Sequence, residues 1–417
     1  MAVVEQGARA NQFRAGVAPV SSGAPLGAVE VATIVLVAEP DLTVTFREME
    51  PARDGRWQVQ PAPNAATAMT LLGSLPNVDA LVVQSGVGGS LEEMLEQARR
   101  RSPHTARIVL ADPADRELAL RVDGLIHQHL PRPVDLEQLA ELIEHIRSAS
   151  SVHLRDPIKT LVGQIDRLPT PPTMFQRLTS MLDDPDWSIV ALAREISEDV
   201  GLTGEMLKLV NSSFYGLSEH VASTERAIAL LGIDMTRFVV LSNGVFQRSA
   251  GFETWIDLDR LANRSQRVAL MARVLAHRDG QSLDAVASAY LVGIVSEIGL
   301  LVMARLPDIP PSIAAPVNVS TYLGAERAVF GGDRFEVGAH LLSTWGFDEA
   351  VIDAVQRQSS GGPIETTGLD WYLAAARHLV IDLSMDPAEL VVDRTVDEVV
   401  QQALRAFAAS MNDDVAV

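Results

Sequence analysis

Few residues in this chain have the types and spacing that covalent or metal chemistry requires. None of its 417 residues is cysteine, which excludes disulfides, thiolate metal sites and a cysteine nucleophile. Two of the nine histidines fall in one short run, LIHQHL from Leu125 to Leu130. On a strand, His127 and His129 would share a face and could direct two imidazoles at one ion. No third ligand lies nearby, so a polar strand end is the better reading. His220, His277, His340 and His378 stand singly in helical segments, where packed or surface histidines are the rule. Glu297 is different: with Ser296 it interrupts YLVGIVSEIGLLVM, a stretch that is otherwise apolar, and a carboxylate in such surroundings needs a partner. The run Ser359 to Pro363, SSGGP, reads as a flexible loop; no strand precedes it, which argues against a phosphate cradle.

The elements around these residues fall into two classes. The runs Val31–Ala38, Ala80–Val83 and Arg107–Leu110, with Leu125–Leu130 as a fourth, are short and rich in β-branched residues. They suit strands buried on both faces of a parallel sheet. Between and after them, Ala65–Leu72, Leu91–Arg101 and a helix capped by Asp135 show apolar residues three and four apart. This alternation predicts a doubly wound α/β domain over residues 30–148. Beyond a linker at 149–157 the strand signal stops, and 158–417 reads as an all-α domain. Its helices are punctuated by Pro169, Pro171 and Pro172, by Gly232 with Asp234, and by Gly346 with Asp348. Residues 1–28, rich in Gly, Ala, Ser and Pro without hydrophobic period, read as a disordered tail.

Composition narrows the function classes. Thirty-four basic against 54 acidic residues give a net charge of −20, and 47% hydrophobic content supports real cores. The acidic surplus argues against broad binding to nucleic acid or anionic membranes. The longest apolar candidate, Tyr290–Leu306, falls short of the ~20 residues of a membrane span and reads as a buried helix. With no cysteine and no basic-then-apolar leader, a cytoplasmic location is expected.

The first domain resembles the receiver domain of response regulators. That resemblance implies an acidic pair after the first strand, a phosphoacceptor aspartate ending the third, a hydroxyl after the fourth and a lysine after the fifth. Here those positions hold Ala38 and Glu39, Gln84, Ala111 and Arg132. An amide is a poor nucleophile and brings no charge to a metal. The resemblance therefore implies a pseudo-receiver, kept as a scaffold after loss of the aspartyl switch.

From Leu168 to Ser242 the chain resembles the HDOD family. The leading LPTPP, the DDP ending a helix, SEDVGLT, the turn NSSFYG (with Asn211, Ser212, Phe214, Tyr215 and Gly216) and AIALLG all occur in order. The similarity continues through VGAHLLSTWGF. Apolar faces on Met174, Leu178, Met181 and Leu182, on Leu192 and Ile196, and on Leu202, Met206, Leu209 and Val210 support consecutive packed helices. Phe214 and Tyr215 are read as packing residues.

HDOD domains are relatives of HD phosphohydrolases, whose metal centre needs an adjacent His-Asp pair. No His-Asp dipeptide occurs in this chain. The corresponding positions are Ser296 and Glu297, Arg264 or its neighbour Asn263, and Gln358 and Ser359. The resemblance thus implies no metal, no cofactor and no catalysis, with an Arg264–Glu297 ion pair in the metal's place. It also implies a signalling role through contact with a sensor kinase, a second-messenger enzyme or a transcription regulator, with a homodimer compatible. Two alternatives remain: a nucleotide-binding module using Arg264 or Arg267, and a metal-dependent phosphohydrolase.

Overall fold

A computed structural model describes residues 31–52, 57–112, 122–150, 156–165, 168–183, 188–212, 220–233, 235–241, 256–305, 319–360 and 368–383, with Leu118 and Leu217. The expected tail, the cap at Asp234 and the turn residues Phe214, Tyr215 and Gly216 lie outside these residues.

The N-terminal half is a five-stranded parallel sheet in the order β2-β1-β3-β4-β5. Its strands are β1 (Ala32–Val37), β2 (Trp57–Pro61), β3 (Ala80–Gln84), β4 (Ala106–Ala111) and β5 (Gln128–Pro131). Alternation along the strands divides the apolar residues between two cores. Val35, Val37, Leu81, Val83 and Val109 face α2 (Ala65–Ser74) and α3 (Leu91–Arg101). Ile34, Leu36, Val82, Ile108 and Leu110 pack with α1 (Pro40–Ala52) and α4 (Leu136–Ser150). The Asp135 carboxylate accepts from the amides of Glu137 and Gln138, as its predicted capping role requires.

Three details differ from the sequence reading. Strand β2, WQVQP, was not expected: it lies at the sheet edge, and its alternate glutamines and terminal proline resemble a loop. The mostly polar α1 gave no apolar stripe to read. The fifth strand begins only at Gln128, because Asp123–Leu125 form a 3₁₀ turn that the apolar run conceals.

The C-terminal half is helical. Its first part comprises α5 (Asp156–Gln164), α6 (Pro172–Asp183), α7 (Ile189–Ser197), α8 (Val200–Asn211) and α9 (Thr224–Leu231). The predicted faces Met174, Leu178, Leu182, Leu192, Ile196, Leu202, Met206 and Leu209 share one core. Within the LPTPP segment, the Leu168 amide donates to Glu205 at 2.8 Å and the Thr170 hydroxyl to Asp199 at 3.2 Å. Asp199 also caps α8 through the Leu202 amide, 2.6 Å away. Asn211 closes α8 by pairing both backbone groups of Val221.

The second part comprises α10 (Leu258–Arg278), α11 (Leu283–Val295), α12 (Ile298–Met303), α13 (Val319–Phe330), α14 (Arg334–Thr344), α15 (Glu349–Ser360) and α16 (Leu369–Arg377), then a π-helical turn, His378–Asp382. The apolar stretch is longer than expected: Leu283–Met303 would reach across a bilayer by length and composition. Its most apolar window is 78% buried within the fold, and it breaks into α11 and α12 at Ser296 and Glu297. Ser359 and Ser360 end α15 and do not open a loop.

The two halves meet at Arg107 of β4, a buried guanidinium whose donors go to backbone carbonyls. It reaches Leu125 at 2.6 Å, Gly163 of α5 at 2.8 Å, and Pro103 and Thr105 at longer range. Nearby, Lys208 of α8 donates to the Ile126 carbonyl at 3.4 Å and sits over the Trp345 ring. His127 accepts the Arg107 amide at Nδ1, 2.9 Å away. Burial, together with Arg107, Lys208 and His340, holds its pKa well below the usual histidine value, so it stays neutral.

Two predictions follow from this packing. Arg107→Met leaves the Leu125 and Gly163 carbonyls without their charged donor. It is expected to lower stability by about 2–4 kcal/mol in urea titration and to split a single unfolding transition into two. The Asp199 carboxyl is pushed up to about 7 by burial, against the bonds from Leu202, Thr170 and Gly201. Ionising it therefore removes stability as pH rises from 3.8 through about 7. Asp199→Asn keeps the cap acceptor, so its melting temperature should exceed that of the parent by a few degrees at pH 8 and match it at pH 4.

Candidate functional site

Helix α10 carries Arg260, Asn263, Arg264 and Arg267 at the spacing that places four side chains on one face. The adjoining face, with Leu261, Val268, Ala272 and Leu275, enters the core. Two close backbone approaches set what stands across from the arginine face. A Cβ on Gly293 of α11 would come within 2.4 Å of the Ala269 Cα, so α10 and α11 touch where only glycine allows it. A Cβ on Gly299 of α12 would lie 1.9 Å from the Arg334 carbonyl oxygen, which presses the start of α12 against the start of α14. Asp333 fixes that end of α14 by a capping box with Glu336.

These contacts surround Glu297, which is 2% exposed, with three guanidiniums. Arg264 donates to Oε2, as predicted for the ion pair. Arg377, the last residue of α16, donates to Oε1 at 3.3 Å, and Arg334 lies 3.6 Å from the same oxygen. Arg334 is also bound by the buried Glu326, through its Nε and its backbone amide at 2.9 Å each. Arg377 stacks 4.6 Å from the Phe335 ring centre. Burial alone would raise the Glu297 pKa; Arg264, Arg334 and Arg377 outweigh it and hold the carboxyl at about 2. Burial lowers the pKa of Arg377, and Glu297 opposes that shift.

A cavity of about 370 Å³ opens beside this cluster. Arg260, Asn263, Arg264, Arg267, Arg334 and Arg377 form its polar wall with Glu297, and Leu323, Phe335, Val380 and Ile381 form its apolar one. Of the positions read from sequence, Asn263, Arg264, Arg267 and Glu297 converge here. Ser296 faces away and donates to the Gly293 carbonyl. Gln358 bonds the carbonyls of Ala354 and Asp370, and Ser359 joins a separate network with Arg327 and Asp333. Sequence reasoning missed Arg260, Arg334 and Arg377. The α10 stripe signalled Arg260, but nothing local marked the other two, 37 and 80 residues from Glu297.

The receiver positions also converge, at the carboxyl ends of the strands where parallel sheets of this order place their sites. Gln84, buried at the end of β3, accepts the Glu39 amide at 3.1 Å. Arg132 lies 3.9 Å from the Glu39 carboxylate; both are well exposed, so the pair contributes little. Ala38 and Ala111 offer only methyl groups. Among the described residues, no three potential metal ligands of the His, Asp or Glu type cluster anywhere.

Removing the Glu297 charge tests the cluster. Glu297→Ala leaves three guanidiniums packed together and should lower stability by about 3–5 kcal/mol. The carboxylate's contribution is present above pH 4.5 and is lost as pH falls towards about 2. The gap in melting temperature between the parent and Glu297→Gln should therefore hold from pH 7 to about pH 5 and narrow below that as pH falls to 3.

Parts of this chain are similar to known proteins. An uncharacterized protein of Treponema pallidum is 23% identical over 206 residues, covering 47% of this chain. The chain spans only about two fifths of that relative's length. Among solved structures, the MmoQ response regulator of Methylococcus capsulatus is 21% identical, with 58% of this chain and 98% of that one covered at a TM-score of 0.44. An HDOD domain protein of unknown function from Geobacter sulfurreducens is 20% identical, covering 68% and 96% at a TM-score of 0.29. Residues 168–360 match the HDOD domain family. That matched stretch, from the LPTPP segment to the end of α15, supplies most of the Glu297 cluster.

Proposed function

We propose that this chain is a non-catalytic signal-transduction protein that acts through protein contacts, joining a receiver-like domain without a phosphoacceptor to its HDOD domain. The observation that carries this reading is the Glu297 cluster. Where an HD enzyme would gather ligands around a divalent metal, three guanidiniums gather around one carboxylate. Positive charge at that point repels a metal ion, and no water there would be activated for attack on a phosphoester. The amide of Gln84 and the methyl group of Ala111 support the same reading at the other site.

A cytoplasmic sensor kinase, second-messenger enzyme or transcription regulator is the class of partner such a protein would contact. The competing reading, a metal-dependent phosphohydrolase, has a carboxylate but no imidazole in its site. The full chain, purified with manganese present, is expected to retain less than one metal ion per ten chains by mass spectrometry and to leave bis(p-nitrophenyl) phosphate and cyclic dinucleotides intact. Acetyl phosphate with Mg²⁺ should add no mass to it. Stoichiometric metal with turnover abolished in Glu297→Gln would overturn the proposal.

A further inference from the structure

The geometry points to the arginine-walled cavity beside Glu297 as a binding site for a small phosphate-bearing anion of mononucleotide size, held without a metal. Arg260, Arg264, Arg267, Arg334 and Arg377 line it, against Glu297 as the single carboxylate among its lining residues. The Arg264 Nε is buried with no acceptor among the described residues, although its Nη2 holds Glu297. A planar guanidinium fork matches two oxygens of a phosphate, and several forks converging on one space can share a dianion. In a chain of net charge −20 such a pocket is a local reversal of sign, and its low-dielectric walls focus the field on an entering anion.

The other wall indicates what the phosphate is attached to. Leu323, Phe335, Val380 and Ile381 offer an apolar surface for an uncharged ring or sugar. About 370 Å³ lies at the small end of the range for ligand sites, which favours one nucleotide unit over two. Glu297 competes with the ligand for Arg264 and Arg377, so the anion enters by taking over part of an existing ion-pair network.

Calorimetric titration of the full chain in EDTA, with AMP, GMP, inorganic phosphate and the two nucleosides at matched ionic strength, tests this. The mononucleotides are expected to bind at least about tenfold more tightly than phosphate, with the nucleosides not binding. Arg260→Gln and Arg267→Gln, each checked for an unchanged circular dichroism spectrum, should weaken binding about tenfold, while Arg100→Gln on distant α3 should not. Glu297→Gln should bind AMP or GMP more tightly and be stabilised by it more than the parent. Absence of mononucleotide binding at about 1 mM, equal binding of nucleoside and nucleotide, or parental affinity in both arginine variants would overturn the inference. Hydrolysis and metal content are read in separate assays, so this inference and the non-catalytic reading can fail independently.

Discussion

The helical half is organised around the need to keep one nearly buried carboxylate charged. Moving Glu297 out of water carries a penalty of several kcal/mol, and no single exposed partner would offset it. Three guanidiniums from α10, α14 and α16 do so together, which requires the start of α14 and the end of α16 to meet the side of α10 at one point. The glycine contacts between α10 and α11 and between α12 and α14 serve that meeting. Ridge packing alone tolerates sliding by a turn; convergence of charges on a buried oxygen pair does not. The cluster thereby fixes the helix register more tightly than the surrounding leucines and valines.

The same constraint explains the break between α11 and α12. A continuous helix through Ser296 and Glu297 would carry the carboxylate along its side among apolar neighbours. The turn there places Glu297 at the head of α12, facing the arginine stripe, while the Ser296 hydroxyl returns to its own helix. Glu326 supports the arrangement from behind by holding Arg334 through both side chain and backbone.

Local chemistry was legible in the sequence and distant convergence was not. The strands β1, β3 and β4 are apolar on both faces and announce themselves, as do the capping roles of Asp135 and Asp348. The Arg264–Glu297 pair could be anticipated because the family resemblance places both residues at one site. Arg334 and Arg377 could not, since they lie 37 and 80 residues from Glu297, and the close approach of Gly299 to the Arg334 backbone has no local mark in the sequence. Strand β2 escaped notice for the opposite reason: as an edge it is half-polar, and its pattern reflects exposure more than pairing.

The Arg107 contact bears on how separable the two halves are. A sheet edge normally needs protection from pairing with foreign strands, by charge, by proline or by a covering element. The chain entering β5 at Ile126 is covered instead by Lys208 from the helical half, while Arg107 from the neighbouring strand ties down Gly163. Cut between α4 and α5, the sheet would expose that edge together with a buried cation deprived of its Gly163 acceptor. The helical half thus acts towards its neighbour as a built-in chaperone surface, and the two are better regarded as one folding unit than as exchangeable modules.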